Sequence, residues 1–285
     1  MALYVPQGQD FQWQYSNVSA TRPSTAGFGT TITSGATANT MGAWTQVVTG
    51  ANMTNEGYGI SVVFSNGFTS AATRNTLVNV GVDPAGGTNY TIKIPYLVAG
   101  HANTYALGGI NYYFPLYIPK GASVALQSQG TTASGTVSAF VTIFGQPRRP
   151  DAVRCGSKVF AFGATTATSS GTVLTLGTSA EGAWTQVGTA TTMPLWWWQM
   201  GYTCLDTTMT ASAIHFDLGS GTAASKKVLL ENVIVRTTAT EQVSIDQHVI
   251  TAYNNVATGD LIYARGQSAA SADTSPGVIV YGLGG

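Results

Sequence analysis

Apolar and polar residues alternate along most of this chain, and no long segment repeats its apolar residues at the 3.6-residue spacing of a helix. In residues 110–118, for example, Ile110 and Tyr112 alternate with Asn111 and Tyr113. A period of two turns one face of a strand inward and the other outward. The pattern therefore predicts half-buried β-strands.

The predicted strands fall into two series of about eight, one in each half of the chain. In the first half they lie near residues 30–34, 44–49, 57–65, 76–82, 91–97, 110–118, 123–128 and 136–144. In the second half they lie near residues 172–176, 184–189, 198–206, 212–218, 227–235, 243–252, 260–267 and 277–283. This number of strands in ~120 residues predicts an all-β fold of two tandem jelly-roll-like β-sandwich domains.

A repeated motif supports the division into two domains. Residues 42–47 read Gly-Ala-Trp-Thr-Gln-Val and recur as residues 182–187, an offset of 182 − 42 = 140 residues. Further features follow in the same order in both halves, and a period of this length is the size of a complete domain. The predicted organisation is an N-terminal arm at 1–28, a first domain at 29–146, a linker at 147–155 and a second domain at 156–285.

Trp44 and Trp184 stand at the same position of the repeated motif. Each begins a predicted strand and is followed by polar Thr and Gln, so we expect both rings to fill the same buried position of their domains. Truncation of a buried ring costs about 3–5 kcal/mol. A loss of that size is therefore expected for Trp→Ala at either position.

Residues 1–28 belong to neither copy and carry several aromatic side chains. Such an arm could anchor the protein on a neighbouring subunit, or it could add a first strand to the first domain, and the sequence favours neither role. The aromatic residues of the candidate anchor are Tyr4, Phe11, Trp13 and Tyr15. In the linker, two prolines predict a short and fairly stiff connection.

Charged residues make up only 8% of the chain, with 12 basic and 12 acidic residues, against roughly 25% in ordinary soluble domains. A surface so poor in charge favours burial against copies of the chain or a partner, so we expect a homo-oligomer. The alternative is a surface β-domain rich in Ser and Thr. The densest basic spot is Arg148, Arg149 and Arg154, which is too small to bind nucleic acid.

Neither membrane insertion nor secretion is predicted. No segment approaches the ~20 apolar residues of a membrane-spanning helix, and the first residues lack the basic region and apolar core of a secretory signal. We therefore expect synthesis and folding in a bacterial cytoplasm. Two thiols, Cys155 and Cys204, form no disulfide framework, so free and buried thiols are expected.

Signals for catalysis are weak. The chain lacks a Gly-x-Ser-x-Gly elbow, a P-loop and a His-Glu-x-x-His motif. Paired polar residues on strands could meet a metal, and two carboxylates ~5–9.5 Å apart could hydrolyse a glycoside, but no spacing fixes either arrangement. The residues concerned are His215, Asp217, Asp246 and His248 for the metal, and Asp206 and Glu231 for the glycosidase pair. We expect no catalytic residue, cofactor, metal or enzymatic activity.

The sharper feature is a run of three tryptophans, Trp196, Trp197 and Trp198, which the matching residues 56–58 of the first copy lack. In a strand these rings alternate between two faces, so they cannot all enter one core. An exposed ring could anchor a neighbouring subunit, or it could stack on the face of a sugar. The remaining alternative is a thick core edge with one ring covered by a loop.

A second aromatic group lies in the first domain. Tyr112 points with the core residues, whereas Tyr113 and Tyr117 are expected to point outward, where the rim of an interface is favoured over a ligand platform. The candidate interface or glycan contacts are therefore Trp196, Trp197, Trp198, Tyr113 and Tyr117.

Four segments together resemble virion surface proteins of tailed bacteriophages and of phage-derived gene transfer agents. They are the repeated motif at 42–47, the strand LVNVGV at 77–82, the segment FPLYIPKG at 114–121 and the strand FVTIF at 140–144. The resemblance covers both halves but not residues 1–28. The second copy departs from it, because residues 255–259 read Asn-Val-Ala-Thr-Gly where the first copy has Tyr-Ile-Pro-Lys-Gly.

The resemblance implies a structural protein without catalysis, displayed on the outside of a phage or phage-like particle. The implied forms are a head spike, a capsid decoration or a fibre-base subunit, located on the outer surface of the virion. The implied partners are copies of the chain and other virion proteins, with host surface polysaccharide added if the protein contacts the cell. The alternative is a carbohydrate-binding adhesin or receptor-binding protein.

Overall fold

The structure is a computed structural model that describes residues 14–16, 29–65, 76–100, 110–145, 154–166, 171–189, 191–204, 213–236, 255–269 and 276–285. Within these residues it contains seventeen β-strands and one short 3-10 helix, Gly50–Asn52. The fold class is all-β, as the alternation of apolar and polar residues predicts. No helix in this part of the chain is both long and apolar enough to cross a membrane.

Apart from Gln14–Ser16 and Lys158–Phe162, the strands lie close to the predicted positions. Those of the first half are β1 (Gln14–Ser16), β2 (Thr30–Thr33), β3 (Thr45–Val48), β4 (Gly59–Ser65), β5 (Thr76–Asp83), β6 (Thr91–Gly100), β7 (Ile110–Phe114), β8 (Ser123–Gly130) and β9 (Thr136–Phe144). Those of the second half are β10 (Lys158–Phe162), β11 (Thr172–Val173), β12 (Thr185–Gly188), β13 (Leu195–Cys204), β14 (Ala213–Gly221), β15 (Lys226–Arg236), β16 (Leu261–Ser268) and β17 (Pro276–Gly284).

The strands of the first half form two antiparallel sheets around one core. In the first sheet, β9 lies between β4 and the pair β1 and β2, with β7 beyond β4; the second sheet has the order β3-β8-β5-β6. From β2 to β9 the chain places four strands in each sheet, which is the arrangement of a jelly roll. The buried residues between the sheets include Ile32, Val62, Val78, Leu126 and Val141.

The second half repeats this strand order. In its first sheet, β17 lies between β13 and the pair β10 and β11, and its second sheet has the order β12-β16-β14-β15. A local irregularity also recurs, because the register shifts between Gln46 and Val48 in one half and between Gln186 and Gly188 in the other. The shared topology is what a duplication produces. The predicted strand at 243–252 lies outside the described residues, and the domain boundaries stay a prediction.

The described part of the N-terminal arm supplies a first strand. β1 pairs antiparallel with the end of β9, as β10 pairs with β17 in the second half. Tyr15 is half-buried against the core, and its hydroxyl accepts a hydrogen bond from Asn52 Nδ2 at 2.9 Å. Of the two roles open to the arm, these residues take that of a strand. Tyr4, Phe11 and Trp13 lie outside the described residues.

Strand β17 is buried on both faces. Val278 and Val280 pack into the core of the second half, whereas Ile279, Tyr281 and Leu283 join the apolar cluster of the first half. The sheet of β17 lies against β6, and its residues also contact β7; these are the edge strands of the two first-half sheets. Covering an edge removes its unpaired backbone groups from solvent. The two halves therefore pack as one unit.

Candidate functional site

The three tryptophans of β13 are buried by the chain itself. Trp198 packs in the core of the second half, and Trp196 and Trp197 join the apolar cluster of the first half. The pairing of β13 with β17 shifts register between Leu195 and Trp197, and a bulge of this kind redirects side chains. The expectation that one of these rings contacts a neighbouring subunit or a glycan is therefore wrong, because the first half of the same chain covers Trp196 and Trp197 and the second half buries Trp198.

Tyr113 also lies at the interface between the halves. It is only 1% exposed, and its ring stands edge-on to Trp197 at 5.9 Å and to Phe144 at 5.8 Å between centroids. Gln199 Nε2 donates a hydrogen bond to the backbone oxygen of Tyr113. The expectation that Tyr113 reaches a partner or a ligand is therefore corrected: it meets the second half of its own chain.

A buried tyrosine hydroxyl links the halves by two hydrogen bonds. Tyr281 Oη donates to the backbone oxygen of Tyr96 at 2.8 Å and accepts from the backbone N–H of Val98 at 3.0 Å. The Tyr112 hydroxyl donates to the backbone oxygen of Val98 at 2.9 Å. Burial raises the pKa of both phenols well above the ordinary value, so both keep the protons that they donate. The two hydroxyls thus provide hydrogen-bond partners for backbone groups of the edge strand β6.

An exposed group of polar and aromatic side chains is built around Glu56. Its Oε2 accepts a hydrogen bond from the Tyr58 hydroxyl at 2.7 Å, and its Oε1 accepts one from the Tyr117 hydroxyl at 2.9 Å. The two rings meet edge to face, with centroids 5.8 Å apart. Glu56 is exposed, Tyr58 is half-buried and Tyr117 is 39% exposed. Tyr117 thus lies at the surface, as the sequence predicts. We call this group the Glu56 cluster.

The hydrogen bonds fix the charge of the Glu56 cluster. The bonds from Tyr58 and Tyr117 lower the pKa of the Glu56 carboxyl. The same bonds raise the pKa of Tyr58 to about 12 and also raise that of Tyr117. At neutral pH the cluster therefore presents a carboxylate held by two protonated phenols. A carboxylate has about four acceptor positions, so roughly two remain for a ligand.

A backbone bridge brings the Glu56 cluster together, although Tyr117 lies 61 residues from Glu56 along the chain. Gly57 and Ile118 exchange two backbone hydrogen bonds, of 2.8 and 2.9 Å. The bridge places Tyr58, which follows Gly57, beside Tyr117, which precedes Ile118. The sequence predicts Tyr117 as a surface residue but carries no local signal for its carboxylate partner.

The second half repeats the bridge but not the cluster. Leu195 and Val256 exchange the same two backbone hydrogen bonds, of 3.0 and 2.7 Å. Trp196 and Asn255 therefore stand at the positions that the two tyrosines occupy in the first half. A buried indole and an exposed amide replace the phenols, which makes the Glu56 cluster specific to the first copy.

Arg154 lies at the second of these two equivalent places, beside Trp196 and Asn255. Its guanidinium carbon is 4.6 Å from the centroid of the Trp196 ring, and its Nη1 is 3.4 Å from Asn255 Oδ1. The next residue, Cys155, donates from its thiol to the backbone oxygen of Tyr58 at 3.3 Å. The segment that precedes β10 thus joins the Glu56 cluster to the second half.

Cys155 is a free thiol, but it is half-buried rather than fully buried. Burial raises its pKa to about 11, which keeps the thiol protonated and unreactive at neutral pH. The side chain of Cys204 lies outside the described residues, so the expectation for it stays a prediction.

One polar position recurs on the central strands β5 and β14. Asn79 Oδ1 accepts a hydrogen bond from the backbone N–H of Tyr96 at 2.9 Å, and Asp217 Oδ1 accepts one from that of Asn232 at 2.8 Å. Tyr96 and Asn232 have φ of 54° and 56°, a conformation that residues other than glycine rarely adopt. The side chain on the neighbouring strand therefore caps a strained bulge in both halves.

Only the second half adds charges at this position. Arg265 binds Asp217 Oδ2 through Nε at 2.9 Å and through Nη2 at 2.7 Å, and its Nη2 also pairs with Glu181. The pKa of the Glu181 carboxyl is raised, and the largest cause is its side-chain hydrogen bond with Asp217. Asp217, one of the residues considered above for a metal, is buried at 2% exposure beneath these contacts.

The residues considered above for a metal or for a glycosidase pair are only partly described. Among the described residues, no group of three or more His, Cys, Asp and Glu side chains is placed to hold a metal ion. Glu231 is exposed on β15. Asp206, Asp246 and His248 lie outside the described residues.

The repeated tryptophans occupy equivalent positions, but these positions are half-buried. A Cβ on Gly81 would stand 2.6 Å from Cη2 of Trp44, and one on Gly219 would stand 3.0 Å from Cη2 of Trp184. Each ring therefore lies across a glycine of the central strand, outside the sandwich core. Arg265 covers Trp184 from the other direction, 4.5 Å from its centroid. The expected full burial is wrong, because glycine leaves room for the ring on the outer face of the sheet.

No protein family model matches the chain, and no curated protein matches it. A chain of the Sulfolobus turreted icosahedral virus structure is similar with a TM-score of 0.33 and 11% identity, over 95% of this chain and 90% of the viral chain. The tandem CBM22-1-CBM22-2 domain of Paenibacillus barcinonensis Xyn10C is similar with a TM-score of 0.26 and 13% identity, over 98% of each chain. Likenesses at this level assign neither a family nor a role.

Proposed function

We propose that the protein is a non-enzymatic structural subunit of a phage or phage-like particle, displayed on the outside as a head spike, decoration or fibre-base subunit. The observation that carries the proposal is the joining of two jelly rolls into one unit through a buried aromatic interface around Trp197, Tyr113 and Tyr281. Two domains joined by a buried contact suit a surface subunit that must keep its orientation on a particle.

The composition supports the same proposal. Only 8% of the residues are charged, and such a surface favours association with copies of the chain and with other virion proteins. The proposed partners do not include nucleic acid, which requires clustered basic residues.

The mass of the protein in solution tests the assembly part of the proposal. Light scattering after size-exclusion chromatography should give a multiple of the 29.6 kDa chain mass. A monomer at every protein concentration tested would contradict a self-assembling subunit.

Electron microscopy tests the location. Antibodies raised against the chain should label the outside of intact particles released by the producing bacterium. Labelling only after the particles are disrupted would contradict display on the outer surface, and absence from purified particles would contradict the virion role altogether.

The second candidate function is that of a carbohydrate-binding adhesin or receptor-binding protein. The observation that favours it is the Glu56 cluster, in which an exposed phenol ring stands beside a fixed carboxylate. Aromatic rings and carboxylates are the groups with which proteins hold the apolar face and the hydroxyls of a sugar.

A further inference from the structure

A surface that the fold covers in the first half lies open in the second half. In the first half, Leu77 of β5 pairs with Val98 of β6 on one side and with Gln129 of β8 on the other. These three buried residues form a row across the sheet, which we call the Val98 row. We propose that the equivalent row of the second half docks a second copy of this chain. The inference rests on the self-association proposed above and names the surface that carries it.

The equivalent row consists of Ile234, His215 and Gln267, and we call it the Ile234 row. His215 of β14 pairs with Ile234 of β15 on one side and with Gln267 of β16 on the other. Both rows have the same spacing from the capped bulges. Each member on a central strand lies two residues before the capping side chain, and each member on an edge strand lies two residues after the bulge. The two rows therefore occupy equivalent places of the duplicated fold.

The second half of the chain covers the Val98 row. Gln129 Nε2 donates a hydrogen bond to the backbone oxygen of Thr165 at 3.1 Å, and the backbone N–H of Val98 donates one to the Tyr281 hydroxyl at 3.0 Å. Strand β10, which ends three residues before Thr165, lies against β6. In this fold, the element that fits such a row is thus the beginning of a half, namely its first strand and the segment that follows.

The Ile234 row is open to solvent. Ile234 is 50% exposed, more than any other large hydrophobic side chain in the described part of the chain, whereas Val98 is fully buried. His215 and Gln267 are half-buried. Among the described strands, β15 is the last of its sheet. An apolar side chain exposed on an edge strand favours association with another chain.

A second copy of the chain offers the element that such a row accepts. Its first half begins with β1, which pairs with the end of β9 as β10 pairs with the end of β17. The Ile234 row contains no Lys, Arg, Asp or Glu, so it opposes no fixed charge when two copies meet. It has His215 where the Val98 row has Leu77, and an imidazole gains less from burial than a leucine side chain. We therefore expect a weaker and more reversible contact than the one between the halves.

Sedimentation equilibrium of the full-length protein at a series of concentrations measures this contact. The wild type should associate with a measurable dissociation constant. Ile234→Lys places an unpaired charge in the contact and should weaken association by more than about tenfold. Gln267→Ala removes a hydrogen bond of the kind that Gln129 makes and should weaken it by about fivefold.

The matched control is Ile92→Lys, the same change at an exposed isoleucine of β6 outside the Val98 row. It should leave the dissociation constant unchanged, and unaltered melting curves should show that all variants are folded. The proposal is overturned if the wild type is monomeric at every concentration, or if Ile234→Lys associates as tightly as Ile92→Lys. In the latter case the copies associate through another surface, and the proposed particle role stands. Labelling of intact particles tests that role independently.

Discussion

At the scale of single residues, two buried tyrosine hydroxyls differ in their hydrogen bonding. Tyr281 Oη pairs with backbone groups of Val98 and Tyr96 across the interface, whereas Tyr263 Oη is buried without a hydrogen-bond partner in the described part of the chain. A buried polar group that loses its partner costs roughly 1–3 kcal/mol. The same chemical change should therefore have different consequences at the two positions.

We expect Tyr281→Phe to lower the free energy of unfolding by about 2 kcal/mol, because it leaves two backbone groups unpaired in a dry interface. Tyr263→Phe keeps the ring that lies near Lys226 and should change stability by less than about 0.5 kcal/mol. Urea denaturation followed by tryptophan fluorescence measures both values. Equal losses at the two positions would contradict the role given to the Tyr281 hydroxyl.

The hydrogen bond between Tyr58 and Glu56 should make the stability of the protein depend on pH. This bond raises the pKa of Tyr58 to about 12 in the folded protein, above the value of about 10 in an unfolded chain. The stability that the bond contributes is therefore fully present below pH ~10 and is lost as the pH rises toward 12. In Glu56→Gln, the titration of Tyr58 should move back toward 10. NMR of protein labelled with ¹³C at tyrosine Cζ follows this titration, and an unchanged midpoint would exclude the bond.

At the scale of elements, β5 and β14 use the same device with different chemistry. Asn79 and Asp217 each cap a backbone N–H at a bulge with positive φ in the next strand. In the second half, Asp217 also neutralises Arg265, whose side chain is only 23% exposed. Removing Asp217 therefore leaves Arg265 with Glu181 as its carboxylate partner and also leaves the bulge uncapped.

We expect Asn79→Ala to cost about 1 kcal/mol, the typical value of one hydrogen bond. Asp217→Ala should cost about 2–3 kcal/mol, less than the loss of a fully buried partner, because Arg265 is partly exposed and keeps its pair with Glu181. Asp217→Asn, which keeps the cap and loses the charge, should fall between them. Chemical denaturation of the three variants checks this order. An Asp217→Asn variant as stable as the wild type would show that the ion pair adds nothing.

The alternation of apolar and polar residues locates most strands, because a strand turns side chains to opposite faces at every second residue. It succeeds for strands such as β5 and β9, which are long enough to show several periods. It misses β10 and β1. Both pair with the exposed edge of a long strand, β17 or β9, so the partner's hydrogen bonds rather than local sequence define them.

At the scale of the whole molecule, alternation predicts the face on which a side chain lies but not what covers that face. The tryptophan run is correctly predicted to need more than one core. The second core belongs to the other half of the chain, which local sequence does not reveal. The Glu56 cluster is missed for the same reason, since an isolated bridge between Gly57 and Ile118 joins its residues.

The packing of the halves predicts the behaviour of two fragments, 1–150 and 151–285. Each sheet takes its described strands from one half, so each fragment should melt cooperatively. The second fragment alone exposes Trp196, Trp197 and Tyr281, an apolar face that favours association. Mixing the fragments should therefore form a one-to-one complex, measurable by light scattering and by a blue shift of tryptophan fluorescence.

Two substitutions in the second fragment show whether the observed interface forms this complex. Trp197→Ala removes a buried ring that contacts Tyr113, and the loss of such an anchor should weaken the complex by about thirtyfold. Trp184→Ala removes a half-buried ring on the second sheet, beside Gly219 and Arg265, and should leave the affinity unchanged. If both substitutions weaken the complex equally, the two fragments do not associate through the surface around Trp197. If the second fragment shows no cooperative melt, even after mixing with the first, the claim that each half folds by itself would be contradicted.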